Sequence, residues 1–312
     1  MTRAIRQARS ELGYLAHARY LTVLAVIMAA GVTLAFVGSL SHARATHQNF
    51  LDEVAAYEAR GITLADALAA PVVVTRAGGQ ETIDNPLKYD FLEVGKAVSA
   101  VQGSGMISTA LDFTTFLVVP LIFLLLGAYS ANFDRRTRTI AQRAARERWT
   151  WVTAGKMAAL VVIALSTALL IAGIGALLGW VGSSLVASAT TGIDYPLVFP
   201  ERQTPLILQV LMTATVAVFF AVVGYAMGYL TRSYSWPIAV SAAALFALPF
   251  VAFWDPRNLL AVVGSQVYDF WGQFRLRPPL DVPVGVSAAL LLVYLGVALA
   301  VVVVSARAPR LR

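Results

Sequence analysis

Residues 157–180 read MAALVVIALSTALLIAGIGALLGW, an unbroken stretch without one acidic or basic side chain. An α-helix rises about 1.5 Å per residue, and the hydrocarbon core of a bilayer is roughly 30 Å thick. A helix made from this stretch is therefore long enough to cross a membrane. The stretch predicts a transmembrane helix.

Five further stretches of 18 or more residues also lack ionisable side chains. In chain order, the six predicted spans are 20–40, 113–131, 157–180, 206–230, 236–253 and 284–304. The segments between them hold nearly every charge, a pattern that indicates membrane segmentation and not a large soluble core. We predict an all-α polytopic membrane protein with six transmembrane helices.

Composition agrees with this fold class. Hydrophobic residues make up 58% of the 312 residues and charged residues only 13%, about half the charged fraction of a soluble domain. The net charge of +7 could indicate nucleic acid, but the basic residues lie beside apolar stretches and no nucleic-acid motif accompanies them. The absence of cysteine excludes disulfides and thiolate metal sites.

The charged segments differ in sign from one side of the predicted bundle to the other. Segments 1–19, 132–156, 231–235 and 305–312 hold 15 Lys and Arg and 3 acidic residues, whereas 41–112, 181–205 and 254–283 hold 9 and 14. Because cytoplasmic loops carry the excess of Lys and Arg, the asymmetry places both termini in the cytoplasm. We predict a multi-pass protein of the plasma (cytoplasmic) membrane.

Each connecting segment has its own prediction. Residues 1–19 form a cytoplasmic interfacial helix with an apolar stripe of Ile5, Ala8, Leu12, Leu15 and Ala16, next to which Arg3, Arg6 and Glu11 are polar neighbours. Residues 41–112 form a mostly helical extracytoplasmic loop, broken by Pro71, Gly78-Gly79 and Asn85-Pro86. Residues 181–205 form an outer loop, 254–283 an outer interfacial or re-entrant segment, and 305–312 a cytoplasmic tail.

Two pairs of glycines have the spacing of close helix contacts. Gly175 and Gly179 lie on the third predicted span, and Gly224 and Gly228 lie on the fourth. Glycines four residues apart let two helix backbones approach closely in a membrane. We expect them to pack helices within one bundle.

Signs of catalysis are absent from the sequence. No phosphate-binding G-x-x-x-x-G-K-[ST] loop and no H-E-x-x-H motif occurs, so the chain is predicted not to be an enzyme and to hold no cofactor or metal. Asp112, directly before the second predicted span, is interpreted as a helix-start acid at the membrane boundary. Uncharged spans argue against transport driven by an ion gradient and favour an external energy source.

Residues 133–156 are the most informative connecting segment. Seven basic residues lie there, namely Arg135, Arg136, Arg138, Arg143, Arg146, Arg148 and Lys156. Apolar residues recur among them at approximately helical spacing: Phe133, Ile140, Ala141, Ala144 and Ala145. The pattern predicts a basic amphipathic helix on the cytoplasmic membrane surface, with its polar face open to a partner.

This segment and the topology resemble the permease subunits of type-2 ABC transporters. That family commonly has an acid, Gly-Thr, a variable helical stretch and then Gly-Lys at the third span; Asp134, Thr139 and Gly155-Lys156 match, and Arg138 occupies the usual glycine position. The resemblance implies a coupling helix at about 134–150 that docks on an ATP-binding subunit. The implied coupling residues are Asp134, Arg135, Thr139, Arg143, Arg146, Arg148 and Lys156.

By this resemblance the chain is the membrane-spanning subunit of an ATP-driven exporter. It implies two partners, a cytoplasmic ATP-binding subunit that carries ATP and Mg and a second permease chain, identical or related. Two alternatives stay open. One is a non-transporting membrane scaffold or assembly protein whose basic helix binds anionic lipid or a cytosolic partner. The other is a gradient-driven carrier or a channel lined by backbone and hydroxyl groups.

Overall fold

The computed structural model describes residues 2–77, 80–190, 193–198, 204–244, 252–272 and 274–307. Within these residues the protein is almost entirely helical, with one small antiparallel hairpin. The elements are α1 Thr2–His17, α2 Tyr20–Glu58, α3 Leu64–Ala69, β1 Val74–Ala77, β2 Gln80–Ile83, α4 Pro86–Val101, α5 Gly103–Leu117, α6 Val119–Arg136, α7 Ile140–Arg146, α8 Trp149–Ala189, α9 Leu206–Thr231, α10 Ser235–Ala242, α11 Pro256–Gly264 and α12 Val284–Arg307. The predicted all-α class is confirmed.

Four of these helices, α2, α8, α9 and α12, are long and apolar enough to cross a membrane. The pair α5 and α6 counts as a fifth if the two are taken as one bent span. The fifth predicted span, 236–253, begins with α10, but residues 245–251 lie outside the described residues. Parts of 181–205, 254–283 and 305–312 also lie outside them. Several long apolar helices thus indicate a multi-pass membrane protein.

The surface of these helices supports a bilayer environment. Leu169 and Leu177 on α8 and Leu292 and Val297 on α12 are each more than 60% exposed. Soluble monomers rarely expose apolar patches of such extent. Lipid chains are as apolar as leucine, so these faces are expected to contact lipid.

The second predicted span, 113–131, is not one straight helix. The axes of α5 and α6 differ by 53° across Val118, and Pro120 lies in the first turn of α6. Proline has no N–H, and its ring clashes with the carbonyl group four residues earlier. Pro120 was therefore the sequence signal for the bend.

The segment 41–112 contains more than a loop. Helix α2 continues through it to Glu58, and α3 and α4 follow, with the side chains of Thr63 and Asn85 accepting hydrogen bonds at their amino ends. Between them lies the hairpin of β1 and β2, which the sequence patterns did not reveal. The break expected at Asn85-Pro86 is the start of α4.

Close glycine contacts join the longest helices. A Cβ atom on Gly224 of α9 would lie 2.7 Å from Leu124 Cα of α6, and one on Gly228 would lie 2.7 Å from Ala128 Cα. On α8, a Cβ on Gly175 would meet Ile107 of α5 at 3.1 Å. A Cβ on Gly179 would lie 2.8 Å from the carbonyl oxygen of Gly103, the first residue of α5. All four predicted packing glycines thus face a helix of the same chain.

Replacing Gly224 with alanine should destabilise the bundle by about 1–3 kcal/mol, because the new methyl group overlaps the backbone of α6. The matched control is Gly173→Ala on α8, where a Cβ meets no atom within 4 Å. That control should be neutral or stabilising by up to about 1 kcal/mol, the usual preference of a helix for alanine. Unfolding midpoints in detergent measure both, and equal midpoints would contradict the glycine contact.

Candidate functional site

A buried carboxylate, Asp134, joins three helices near the end of α6. Asp134 as a residue is 1% exposed, and so is Lys156 in the second turn of α8. Asp134 Oδ2 and Lys156 Nζ form an ion pair at 2.6 Å. Lys156 Nζ also donates to the carbonyl oxygen of Ser130 at 2.6 Å. This pair fixes α6 against α8.

The second oxygen of Asp134 holds the helix α7. Arg143 NH1 donates to Asp134 Oδ1 at 2.7 Å, and Thr139 Oγ1 donates to the same oxygen at 3.1 Å. The other arm of Arg143 forms an ion pair with Glu11 Oε1 of α1 at 2.6 Å. One guanidinium therefore bridges carboxylates on two helices and ties α7 to both.

These four groups balance in charge. Two carboxylates, Glu11 and Asp134, face two cations, Arg143 and Lys156. Burial alone lowers the pKa of Arg143, but the charges of Glu11 and Asp134 outweigh it, so that its pKa is raised. Arg143 accordingly keeps its charge. We call Glu11, Asp134, Arg143 and Lys156 the charge network.

The backbone between α6 and α7 makes a tight turn. Arg138 has φ 57°, a left-handed conformation that L residues rarely adopt. The turn lets Thr139 N donate to the carbonyl oxygen of Asp134 at 2.9 Å while its hydroxyl reaches the carboxylate. The position at which the resembled motif has glycine is thus one that glycine would suit.

Charge, more than apolar contact, attaches α7 to the bundle. Ala141 and Ala145, expected on an apolar stripe, are exposed. Beyond the charge network, Glu147 at the end of α7 pairs with Arg6 of α1 at 3.2 Å. Since Arg6 is mostly exposed, this outer pair contributes little. The charge network is the main restraint on α7.

A second close contact brings α1 against α8. A Cβ atom on Gly155 would lie 3.0 Å from the backbone carbonyl carbon of Gln7. Glycine there lets α1 lie directly on the first turns of α8. Gly155 and Lys156, adjacent in sequence, thus have separate roles: one admits α1 and the other pairs with Asp134.

The seven predicted coupling residues divide into two groups. Asp134, Thr139, Arg143 and Lys156 meet in and around the charge network. The others lie outside it: Arg146 and Arg148 are exposed, and Arg135 NH1 lies 3.5 Å from Asn132 Oδ1.

Glu11 was predicted only as a polar neighbour of the apolar stripe on α1, and not as a site residue. Glu11 is 5% exposed and pairs with Arg143. The available signal was spacing, because residues 8, 11 and 15 share one helix face and Ala8 and Leu15 are buried.

The interpretation of Asp112 as a helix-start acid is wrong. Helix α5 begins at Gly103, and Asp112 lies in its interior, fully buried. No side chain among the described residues hydrogen-bonds either carboxylate oxygen. One turn further on, Thr115 hydrogen-bonds Thr213 of α9 at 2.8 Å, and Tyr268 contacts both threonines. A polar cluster therefore lies inside the bundle.

In the described part of the chain, no group of three or more His, Asp or Glu side chains is placed to hold a metal ion. Comparison with family models, with curated proteins and with solved structures finds no match to this chain.

Replacing Lys156 with methionine should destabilise the protein by about 3–5 kcal/mol, because it removes one partner of a buried ion pair. In the Lys156→Met variant, Asp134→Asn should lower the free energy of unfolding by less than it does in the unaltered chain, because the Asp134–Lys156 pair is already lost. The control is Lys96→Met in the partly exposed Lys96–Glu93 pair, which should change stability by about 1 kcal/mol or less. Additive losses from Lys156→Met and Asp134→Asn in unfolding experiments would contradict the coupling.

Replacing Arg138 with glycine should raise stability by about 1 kcal/mol, because glycine adopts a positive φ without steric cost. Arg9→Gly, at an exposed position inside α1, should lower stability by a similar amount. Thermal unfolding of the two variants beside the unaltered chain gives the comparison. A loss of stability in Arg138→Gly would argue against the left-handed turn.

Proposed function

We propose that this chain is the membrane-spanning permease subunit of an ATP-driven exporter of the type-2 ABC class, and that α7 is its coupling helix. The observation that carries the proposal is the charge network, which ties a short surface helix to α1, α6 and α8. A helix held in this way transmits a push or pull to the helices behind it as a rigid-body shift.

The outward side of α7 is suited to a partner. Arg146 lies in its last turn and Arg148 directly before α8, and both are exposed. Exposed arginines pair readily with carboxylates of another protein. In this proposal they contact the ATP-binding subunit, while Asp134, Arg143 and Lys156 act inside the chain as positioning residues.

The resemblance supports the same assignment. The residues that match the motif, Asp134, Thr139, Gly155 and Lys156, all help to hold α7 and α1 in place. The proposal includes six spans, with α10 as the start of the fifth, both termini in the cytoplasm, and a second permease chain in the membrane. ATP and Mg belong to the partner subunit.

A charge reversal separates docking from folding. Arg146→Glu combined with Arg148→Glu should lower recovery of the ATP-binding subunit roughly tenfold, because like charges then face each other at the interface. Stability should stay within about 0.5 kcal/mol, since both side chains are exposed. The measurement is a mild-detergent pull-down from the native membrane with mass spectrometry and a vanadate-sensitive ATPase assay.

The matched control is Arg44→Glu combined with Arg60→Glu, which changes the net charge equally at exposed positions in α2 and the turn after it. The control should leave recovery unchanged. Recovery of the unaltered chain alone, or with unrelated partners, would contradict the exporter proposal and favour a membrane scaffold.

Asp112 favours a second candidate, a gradient-driven carrier. A fully buried carboxylate that no side chain of the described structure hydrogen-bonds is costly, and within a bundle of spans such a group commonly belongs to an ion or proton path. The hydroxyl groups of Thr115, Thr213 and Tyr268 extend the polar region from α5 to α9. This arrangement weakens the argument that was based on uncharged spans.

The carrier hypothesis predicts that the purified chain, reconstituted in vesicles without ATP, carries a flux of protons or cations. Asp112→Asn should abolish that flux and keep or raise stability, because the amide is neutral and of similar size. Asp52→Asn, at an exposed position on α2, is the control and should leave flux unchanged. A pH-sensitive dye measures the flux, and its absence in the unaltered chain would contradict the carrier.

A further inference from the structure

A basic pocket lies where α6 and α9 end side by side. Its cavity measures about 400 Å³. The polar lining comes from the last turns of both helices and the residues after α9: Asn132, Arg135, Arg136, Arg232, Ser233 and Tyr234. Among the described residues that line it there is no Asp or Glu. The pocket is separate from the charge network and has strongly positive walls.

Asn132 fixes the shape of this pocket. It is buried, and its Nδ2 donates to the carbonyl oxygens of Gly228 at 2.9 Å and Ser233 at 3.2 Å. Arg232 then takes a left-handed conformation, with φ 57°, that ends α9 and turns the chain toward α10. The arginines thus project from a packed framework and not from a free loop.

Arg136 and Arg232 are the two arginines of the lining that are suited to an anion from outside the chain. Neither Arg136 nor Arg232 takes part in an ion pair within the described structure. The guanidinium of Arg136 lies 5.6 Å from the centre of the Tyr234 ring, which holds it at the pocket. Guanidinium groups match phosphate oxygens in geometry and charge. A phosphate group is therefore the anion that this lining suits.

Helix ends carry a partial negative charge at their carbonyl groups, which opposes an anion. Here the carbonyl group of Gly228 already accepts a hydrogen bond from Asn132. Full guanidinium charges also outweigh a helix-end charge of roughly one half. The balance at the pocket remains favourable for an anion.

Apolar side chains next to the pocket indicate which anion. Leu230 and Trp236, two residues before and four after Arg232, are 52% and 66% exposed. Leu230 lies in the last turn of α9, an apolar helix of 26 residues, and Trp236 lies in the first turn of α10. A soluble phosphate makes no use of such side chains, whereas a lipid has a phosphate and acyl chains in one molecule.

We propose that this pocket binds the phosphate headgroup of an anionic membrane lipid, with the acyl chains along α9 and α10. Arg136 and Arg232 contact the phosphate, Tyr234 orients Arg136, and Trp236 lies at the level of the headgroups. The site does not depend on an ATP-binding partner. It fixes the depth of the α6 and α9 ends in the bilayer.

The test uses the full chain in nanodiscs of phosphatidylcholine with increasing phosphatidylglycerol. Bound phosphatidylglycerol, counted by native mass spectrometry after release, and a raised thermal midpoint should appear together. Arg136→Gln combined with Arg232→Gly should weaken that binding roughly fivefold for each arginine removed. Glycine suits the backbone of residue 232, so that this variant remains folded.

The control, Arg44→Gln combined with Arg60→Gln, removes the same charge elsewhere and should bind phosphatidylglycerol as the unaltered chain does. Two results would overturn the proposal. One is equal binding by the Arg136 and Arg232 variant. The other is an equal rise of the midpoint with inorganic phosphate in pure phosphatidylcholine, which would show a site for a free anion.

Discussion

A buried carboxylate is stable only when cations pair with it, and Asp134 pairs with two cations from different helices. Removing an ion from water costs several kcal/mol, which only close and correctly placed partners offset. Lys156 of α8 and Arg143 of α7 meet this requirement, because each pairs with a different carboxylate oxygen of Asp134. Because Arg143 also reaches Glu11, the same constraint orders α1, α6, α7 and α8 together. The position of α7 depends on it, whereas α1 is held both by the Glu11–Arg143 pair and by its close packing on α8 at Gly155.

The glycine contacts act at a second level. Within a bilayer there is little hydrophobic force between helices, so close packing has to hold them. Gly224 and Gly228 bring α9 onto α6, and Gly175 and Gly179 bring α8 onto α5. Close packing thus holds the long helices together inside the bundle, and ion pairs hold the helices at its end. Helix α7 depends on the ion pairs because its apolar contacts are few.

The helices long enough to span a membrane could be predicted from the sequence. Contacts between residues that are far apart in the chain could not. Uncharged stretches predict α2, α8, α9 and α12 because span length is set by the bilayer. The bend before Pro120 was predictable, but the hairpin and the interior place of Asp112 were not, since both depend on contacts across the chain. Asp134, Thr139 and Lys156 were selected by their match to the motif of the resembled family, and they do meet. Glu11 shares a helix face with Ala8 and Leu15, but its partner Arg143 is far away in sequence, so the pair could not be predicted.

Hydrogen exchange of the α7 backbone amides, measured by mass spectrometry on the full chain, tests the central claim that Asp134 holds this helix. In Asp134→Asn, residues 140–146 should lose their protection while the middle of α9 keeps its own, because the charge network is the main restraint on α7. Equal protection of α7 in the variant and the unaltered chain would contradict the claim and assign the attachment of α7 to other contacts.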